Sequence, residues 1–259
     1  MTYSHRWLLF SMVFAFMFSS MAEAQIAPGS VIGGASPWPV YVYDTETLDK
    51  GNVILSGIGG VGFLGDGSKS QSVYSGLDIG VTDRFLISFA VSGSSADNTD
   101  WKIDDLVFHA KYKMLDKDTF DFAIAGTMER LPFMKDAGYT PFDGQIMGIV
   151  QKSVGSFAAY GQVGYSSRKQ AFEGFGARYD FLGKVIISGN FSYRHKGDFY
   201  EGLLPEEITG VKATTYATVY IPVGSRVGLT GAVGRTLLPL KTGDPATSFC
   251  TFGLGVRLH

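Results

Sequence analysis

The sequence predicts an all-β fold, a closed antiparallel transmembrane β-barrel of about twelve strands wound as an up-and-down meander, and three observations lead there. From Gly51 onward, stretches of roughly ten residues alternate apolar with small or polar side chains, and turns separate them. The links between stretches alternate between short and long. A secretory leader precedes them all.

The leader has His5 and Arg6 as a basic start, Trp7 to Phe18 as an apolar core, and Ala22-Glu23-Ala24 as a small-x-small cleavage site. Its apolar run is shorter than the ~17 to 25 residues a helical span requires. Residues 1–24 are therefore expected to leave as a signal peptide, cut near Ala24. Residues 25–50, with Pro28, Pro37 and Pro39, then form an arm in the periplasm or, by preference, folded into the lumen. The barrel itself occupies 51–259, and the outer membrane of a Gram-negative cell is the expected location.

Strands are expected at about 51–64, 70–81, 84–95, 103–115, 119–130, 142–153, 156–167, 172–182, 184–195, 210–222, 225–235 and 248–258. In the third, Phe85, Ile87, Phe89 and Val91 take one face and Ser88, Ala90 and Ser92 the other. Tight turns are read at Thr82-Asp83, Asp116-Lys117-Asp118, Val154-Gly155, Gly183 and Val223-Gly224, and longer polar links at 96–102, 131–141, 196–209 and 236–247. Short periplasmic turns and longer external loops produce that rhythm when both termini face the periplasm. The long links also hold Pro132, Pro141, Pro205, Pro239 and Pro245 away from ladder positions. No later apolar stretch is long enough for a helical span, so a bilayer could be crossed only by a closed barrel, in which every backbone group finds a partner.

Composition fits the same class. Glycine numbers 34, aromatic residues make up 14%, and the charged share of 18% lies below the ~25% usual for soluble domains. Cleavage removes Arg6 and Glu23 together, so the net charge stays at -2, and no basic patch or motif points to nucleic acid. The single Cys250 cannot form an intramolecular disulfide and reads as a small apolar residue on the last strand.

Alternation also assigns faces. Phe120, Phe122, Ile124 and Met128 oppose Asp121, Ala123, Thr127 and Glu129, with Phe122 expected near mid-depth. Leu106, Phe108, Ala110, Tyr112 and Met114 oppose Asp105, His109, Lys111 and Lys113. Arg or Lys facing lipid at mid-depth costs ~2 to 4 kcal/mol, so the charged rows are expected to face a wet interior. The candidate lumen-lining residues are Asp78, Arg84, Asp105, His109, Lys111, Lys113, Asp121, Glu129, Arg178, Asp180, Lys184, Arg194, Lys212, Arg226 and Arg257. Both signs are present, so they can form either a neutralising lattice or a selectivity filter.

Nothing in the sequence assembles a catalytic site, a metal site or a cofactor site. Gly-x-Ser-x-Gly, Walker and Cys/His cluster patterns are absent. His109 reads as part of the lumen lattice and His195, between Arg194 and Lys196, as a cation at the loop rim. Asp97, Asp100, Asp104 and Asp105 gather near one external loop without EF-hand spacing and read as a solvated acidic loop.

Three short segments carry a family resemblance: Asp44-Thr45 followed by Thr47-Leu48-Asp49-Lys50-Gly51, then Asp78-Ile79-Gly80-Val81-Thr82-Asp83-Arg84, then Asp104-Asp105-Leu106 with Ala110-Lys111-Tyr112. With these the N-terminal third resembles bacterial outer-membrane barrels named for the meta-pathway of phenol degradation. The resemblance implies a transporter-like barrel associated with aromatic-compound catabolism, and it names no catalytic residue. The leading functional expectation is a non-enzymatic channel or uptake protein for small, hydrophobic or aromatic solutes. A structural or adhesive barrel without transport is second, and a lipid-modifying enzyme third. Expected partners are outer-membrane lipid and lipopolysaccharide, the barrel-assembly machinery, periplasmic chaperones and a small solute, with no nucleic acid and no cofactor.

Overall fold

In the computed structural model, the described residues are 42–63, 69–96, 101–130, 142–167, 170–195, 212–238 and 248–258. They form twelve strands: β1 (Val53–Phe63), β2 (Lys69–Thr82), β3 (Phe85–Ala96), β4 (Lys102–Lys117), β5 (Phe120–Arg130), β6 (Phe142–Val154), β7 (Phe157–Ser166), β8 (Ala171–Asp180), β9 (Ile186–Arg194), β10 (Lys212–Val223), β11 (Val227–Leu238) and β12 (Ser248–Arg257). Each pairs with its chain neighbours, and β1 closes antiparallel onto β12. The barrel is thus a complete meander with no free edge. The signal peptide, the arm before residue 42 and most of the long links lie outside the described residues.

The short links lie on the rim that also carries the start of β1 and the end of β12, here termed the turn rim. The opposite end is the loop rim. One short link is wider than the sequence suggests. Where a single Gly183 turn is expected, β8 ends at Asp180 and β9 begins at Ile186. Leu182 and Gly183 take positive φ (58° and 69°) between them, and the Phe181 amide donates to the Val185 carbonyl at 2.8 Å. Lys184 is therefore an exposed turn residue, not a lumen residue.

The wall obeys the period of two. On β3, Phe89 and Val91 point outward while Leu86, Ser88 and Ala90 are buried. On β4, Leu106, Phe108, Tyr112 and Met114 are exposed and Val107, His109, Lys111 and Lys113 buried. A register shift between Lys113 and Leu115 turns both Met114 and Leu115 outward. Bands follow on the outer surface: Phe120, Phe157, Tyr179 and Phe181 near the turn rim, and Phe63, Trp101, Phe142 and Tyr165 near the loop rim. Between them lie aliphatic and Phe residues such as Phe89, Ile124, Val150, Val219 and Phe252. An apolar band between two aromatic girdles is the outer surface of a membrane-spanning barrel. Phe122 faces outward as expected, but it sits two residues from the start of β5, near the turn rim and not at mid-depth.

Candidate functional site

The interior sets charged, amide and hydroxyl side chains among apolar clusters such as Ala123, Ala125, Met147 and Ile149, and the chain itself folds into it. Residues 42–52 leave the start of β1 at the turn rim and turn inward. Gly51 N donates to Gly80 O (2.8 Å) and Gly80 N to Asn52 O (2.9 Å), which prolongs the β1–β2 ladder. The Lys50 amide then donates to Asp83 Oδ1 at 2.9 Å and the Thr47 hydroxyl to the Asp83 carbonyl at 2.7 Å. A Cβ at Gly80 would collide with the carbonyls of Leu48 and Asp49, so only glycine lets the arm pass this close. Leu48 is buried against Ile54 and Leu86, with Tyr220 packed alongside.

Deeper in, strands β4 to β8 and β10 each bring a side chain to the arm. The Thr45 amide donates to Gln151 Oε1 on β6 (3.3 Å) and its hydroxyl to Asp121 Oδ2 on β5 (3.4 Å). The Tyr43 amide donates to Gln162 Oε1 on β7 at 2.9 Å, and the Tyr216 hydroxyl on β10 accepts from Val42 N at 3.2 Å. The Tyr43 ring stacks on His109, with centroids 4.5 Å apart and planes at 15°. His109 Nδ1 in turn pairs with Thr127 Oγ1 at 2.9 Å. On β8 the arm approaches Gly174, where a Cβ would press on the Val42 side chain at 2.7 Å.

The centre of the arrangement is ionic. Lys111 Nζ on β4 donates to the Asp44 carbonyl (3.1 Å) and lies 3.7 Å from its carboxylate. The Arg178 guanidinium on β8 bridges both arm carboxylates, with Nη1 on Asp44 Oδ2 and Nη2 on Glu46 Oε1 at 2.8 Å. Lys113 Nζ stands 3.7 Å from Glu46 and 3.6 Å from Asp116. Gln151 donates its amide to Glu46 at 2.9 Å. The side chains of Lys111 and Asp44 are 0% and 2% exposed, so this charge is satisfied by partners and not by bulk water. Burial alone would raise the Glu46 carboxyl, yet the Arg178 and Lys113 cations outweigh it and hold the group down to about 2.

The expected lumen residues distribute unevenly. Asp78, His109, Lys111, Lys113 and Asp121 are buried inside the barrel. Arg178 joins them there, half-buried, against the arm. Glu129 shares the inward row of β5 with Asp121 and Thr127 and is half-buried. Asp180 accepts from Gly183 N at 2.6 Å and closes the turn after β8. Arg226 and Arg257 are half-buried at the turn rim, where Arg257 N donates to the Arg226 carbonyl at 2.8 Å. Arg194 is half-buried at the end of β9. Arg84, expected inside at the start of a strand, is exposed in the turn between β2 and β3, because β2 runs on to Thr82 and β3 begins only at Phe85, which leaves Asp83 and Arg84 as the turn residues. The side chains of Asp105 and Lys212 lie outside the described residues, as does the acidic group around Asp97 to Asp105. His195 is exposed beyond β9, with Nε2 3.7 Å from Glu173 Oε1.

Residues that alternation could not single out matter most: Tyr43, Asp44 and Glu46 on the arm, and Gln151 and Gln162 on the wall. A faint signal was available in the paired acids of Asp44 to Glu46 set against a lumen rich in cations. Between the arm and the walls of β6 to β10 and β12 a vestibule of about 500 Å³ opens on the turn rim. Its lining includes Glu46, Arg178, Asp180, Tyr220 and Arg257. No metal-binding group of three or more His, Cys, Asp or Glu occurs among the described residues.

No protein-family model and no curated protein matches this sequence. Solved structures do match in fold. The NanC porin superposes with a TM-score of 0.61 at 7% identity, covering 79% of this chain and 100% of that one. The KdgM porin gives 0.56 at 11% identity, with 79% and 99% covered. The translocator domain of the autotransporter NalP from Neisseria meningitidis gives 0.50 at 8% identity, with 83% and 91% covered. In the fold of its closed meander of twelve antiparallel strands the chain is similar to these structures.

Proposed function

We propose that the protein is an outer-membrane channel for small solutes, without catalytic activity, whose narrowest part is set by residues 42–50. One observation carries this reading: an apolar, girdled exterior surrounds an interior in which charged, amide and hydroxyl side chains stand among apolar clusters, and a vestibule of about 500 Å³ opens from it at the turn rim. The fold similarity to porins supports it. In the membrane the barrel is ringed by outer-membrane lipid and lipopolysaccharide, having been delivered by periplasmic chaperones and the assembly machinery after loss of its leader. Aromatic compounds are the cargo to which the resemblance to the phenol meta-pathway barrels points.

The arm favours one competing reading, a sealed structural barrel, because six strands hold it by hydrogen bonds or ion pairs. Reconstitution into planar bilayers separates the two. The channel reading expects discrete conductance steps and uptake of a small aromatic solute into liposomes. Folded, heat-modifiable protein that passes no current and no solute leaves the sealed barrel standing instead.

A further inference from the structure

We propose that Lys111, Lys113 and Arg178 form an anion site in the lumen which Asp44 and Glu46 occupy as an internal ligand, and that its diffusible ligand is an organic dicarboxylate. Lys111 and Lys113 stand on β4 and Arg178 on β8, four strands away around the barrel. They converge only because two arm carboxylates at alternate positions lie between them, both on the one guanidinium. Among the described residues, the ion pairs of Lys111 and Arg178 go to the arm alone. Of the neighbouring wall acids, Asp121 accepts from Thr45 and from the Lys117 amide, Asp116 is exposed near the rim beside Lys113, and the buried Asp78 adds its charge near Lys111. A purely structural lattice would pair wall with wall. Here the ion pairs of this positive charge go mainly to a segment that enters from the turn rim, Lys113 alone also meeting a wall acid, so the arm withdrawn leaves cations that need an anion.

Both arm carboxylates sit on the one guanidinium across a short gap, drawn together by the bend at Thr45, where the Glu46 amide donates to Asp44 Oδ1 at 3.1 Å. A short aliphatic or benzenoid dicarboxylate spans that gap, and its acid groups can take the same charge-assisted hydrogen bonds, bidentate on the arginine. A ring has its own place, since Tyr43 already stacks on His109. The buried Nε2 of His109 has no hydrogen-bond partner among the described residues, which leaves a polar atom beside that place for a ligand oxygen. A tethered ligand acts at an effective concentration in the millimolar range. A free dicarboxylate must therefore compete, and weakening the arm moves the equilibrium toward the diffusible anion. The proposal rests on the channel reading for the path by which solute arrives.

The test uses full-length folded protein, as wild type, Glu46→Gln and Asp44→Asn/Glu46→Gln, with adipate, isophthalate and the neutral adipamide as probes. Two readouts are taken: the shift of the thermal unfolding midpoint, which needs no current, and block of single-channel current. The expected result is half-maximal effect of both acids at a concentration at least tenfold lower in the double variant than in wild type, no effect of adipamide, and a reversal potential moved toward anions. If the double variant fails to fold, Glu46→Gln alone is expected to lower the half-maximal concentration about threefold. Equal action of adipamide and adipate, or an unchanged half-maximal concentration in a folded variant, overturns the anion site. Current in every protein with no response to the acids removes the site and leaves the channel. Acid-specific stabilisation without current in any protein supports the site and removes the channel.

Discussion

Arginine placed along the outer row of β5 should trace the depth of the membrane. Phe120 and Arg130 bound the strand, ten steps apart. At ~3.3 Å per residue and a tilt of ~40°, each step climbs ~2.5 Å, so the strand rises ~25 Å, the height of the apolar band. Phe122 then lies ~5 Å above the turn rim, Ile124 ~10 Å and Met128 ~20 Å, which places Ile124 within ~3 Å of the midplane by the same geometry. All three belong to the outward row, with Ile124 39% and Met128 51% exposed, so an arginine at any of them enters lipid and not the core. Ile124→Arg should cost ~2 to 4 kcal/mol, with smaller penalties at Phe122 and Met128 because the cost falls to ~0 to 1 near the interfaces and a long side chain reaches the headgroups. The assay is reversible urea unfolding of each variant refolded into lipid vesicles, with gel migration of unheated and boiled samples as a check on folding. A flat series, or one in which Met128→Arg is the most damaging, would refute the assignment of β5 to a membrane span of this height.

Three further outcomes follow from the arm. Lys111→Glu with Lys113→Glu sets like charges against Asp44 and Glu46, so bilayer recordings should show larger conductance steps and a shift toward cation preference; an unaltered reversal potential in folded protein counts against a conducting lumen. Glu46 is held below its ordinary value of 4.5, so its contribution to docking is complete above that pH and is lost as pH falls through about 2. Conductance should therefore rise on acidification across that interval, and Glu46→Gln should flatten the rise. Gly80→Ala drives a methyl group into the Leu48 and Asp49 carbonyls and should detach the arm's base while leaving the barrel folded, seen as faster amide hydrogen exchange at Thr47 to Lys50 with unchanged heat-modifiability.

Several features of this protein are local and were therefore legible in the sequence. In a strand the face of a residue is fixed by parity, so Phe89 against Ser88 and Tyr112 against Lys111 could be assigned from neighbours alone. Turn chemistry delimits strands equally locally, and all twelve appear within three residues of their expected ends. Locality also sets the limit. The placement of Arg84 depended on which two residues form the turn between Thr82 and Phe85, and Lys184 on a five-residue turn with two positive φ angles, which alternation cannot encode. The ionic centre was further out of reach: Arg178 lies 134 residues from Asp44, and Lys111 lies 67. What joins them is barrel closure, which brings β4 and β8 around one lumen, and an arm that turns inward at Gly80 to stand between them. Residue order alone fixes which side chains point inward along the regular part of each strand. Which charges meet there was decided by the tertiary structure, because only the closed ring sets the distance between strands that never pair.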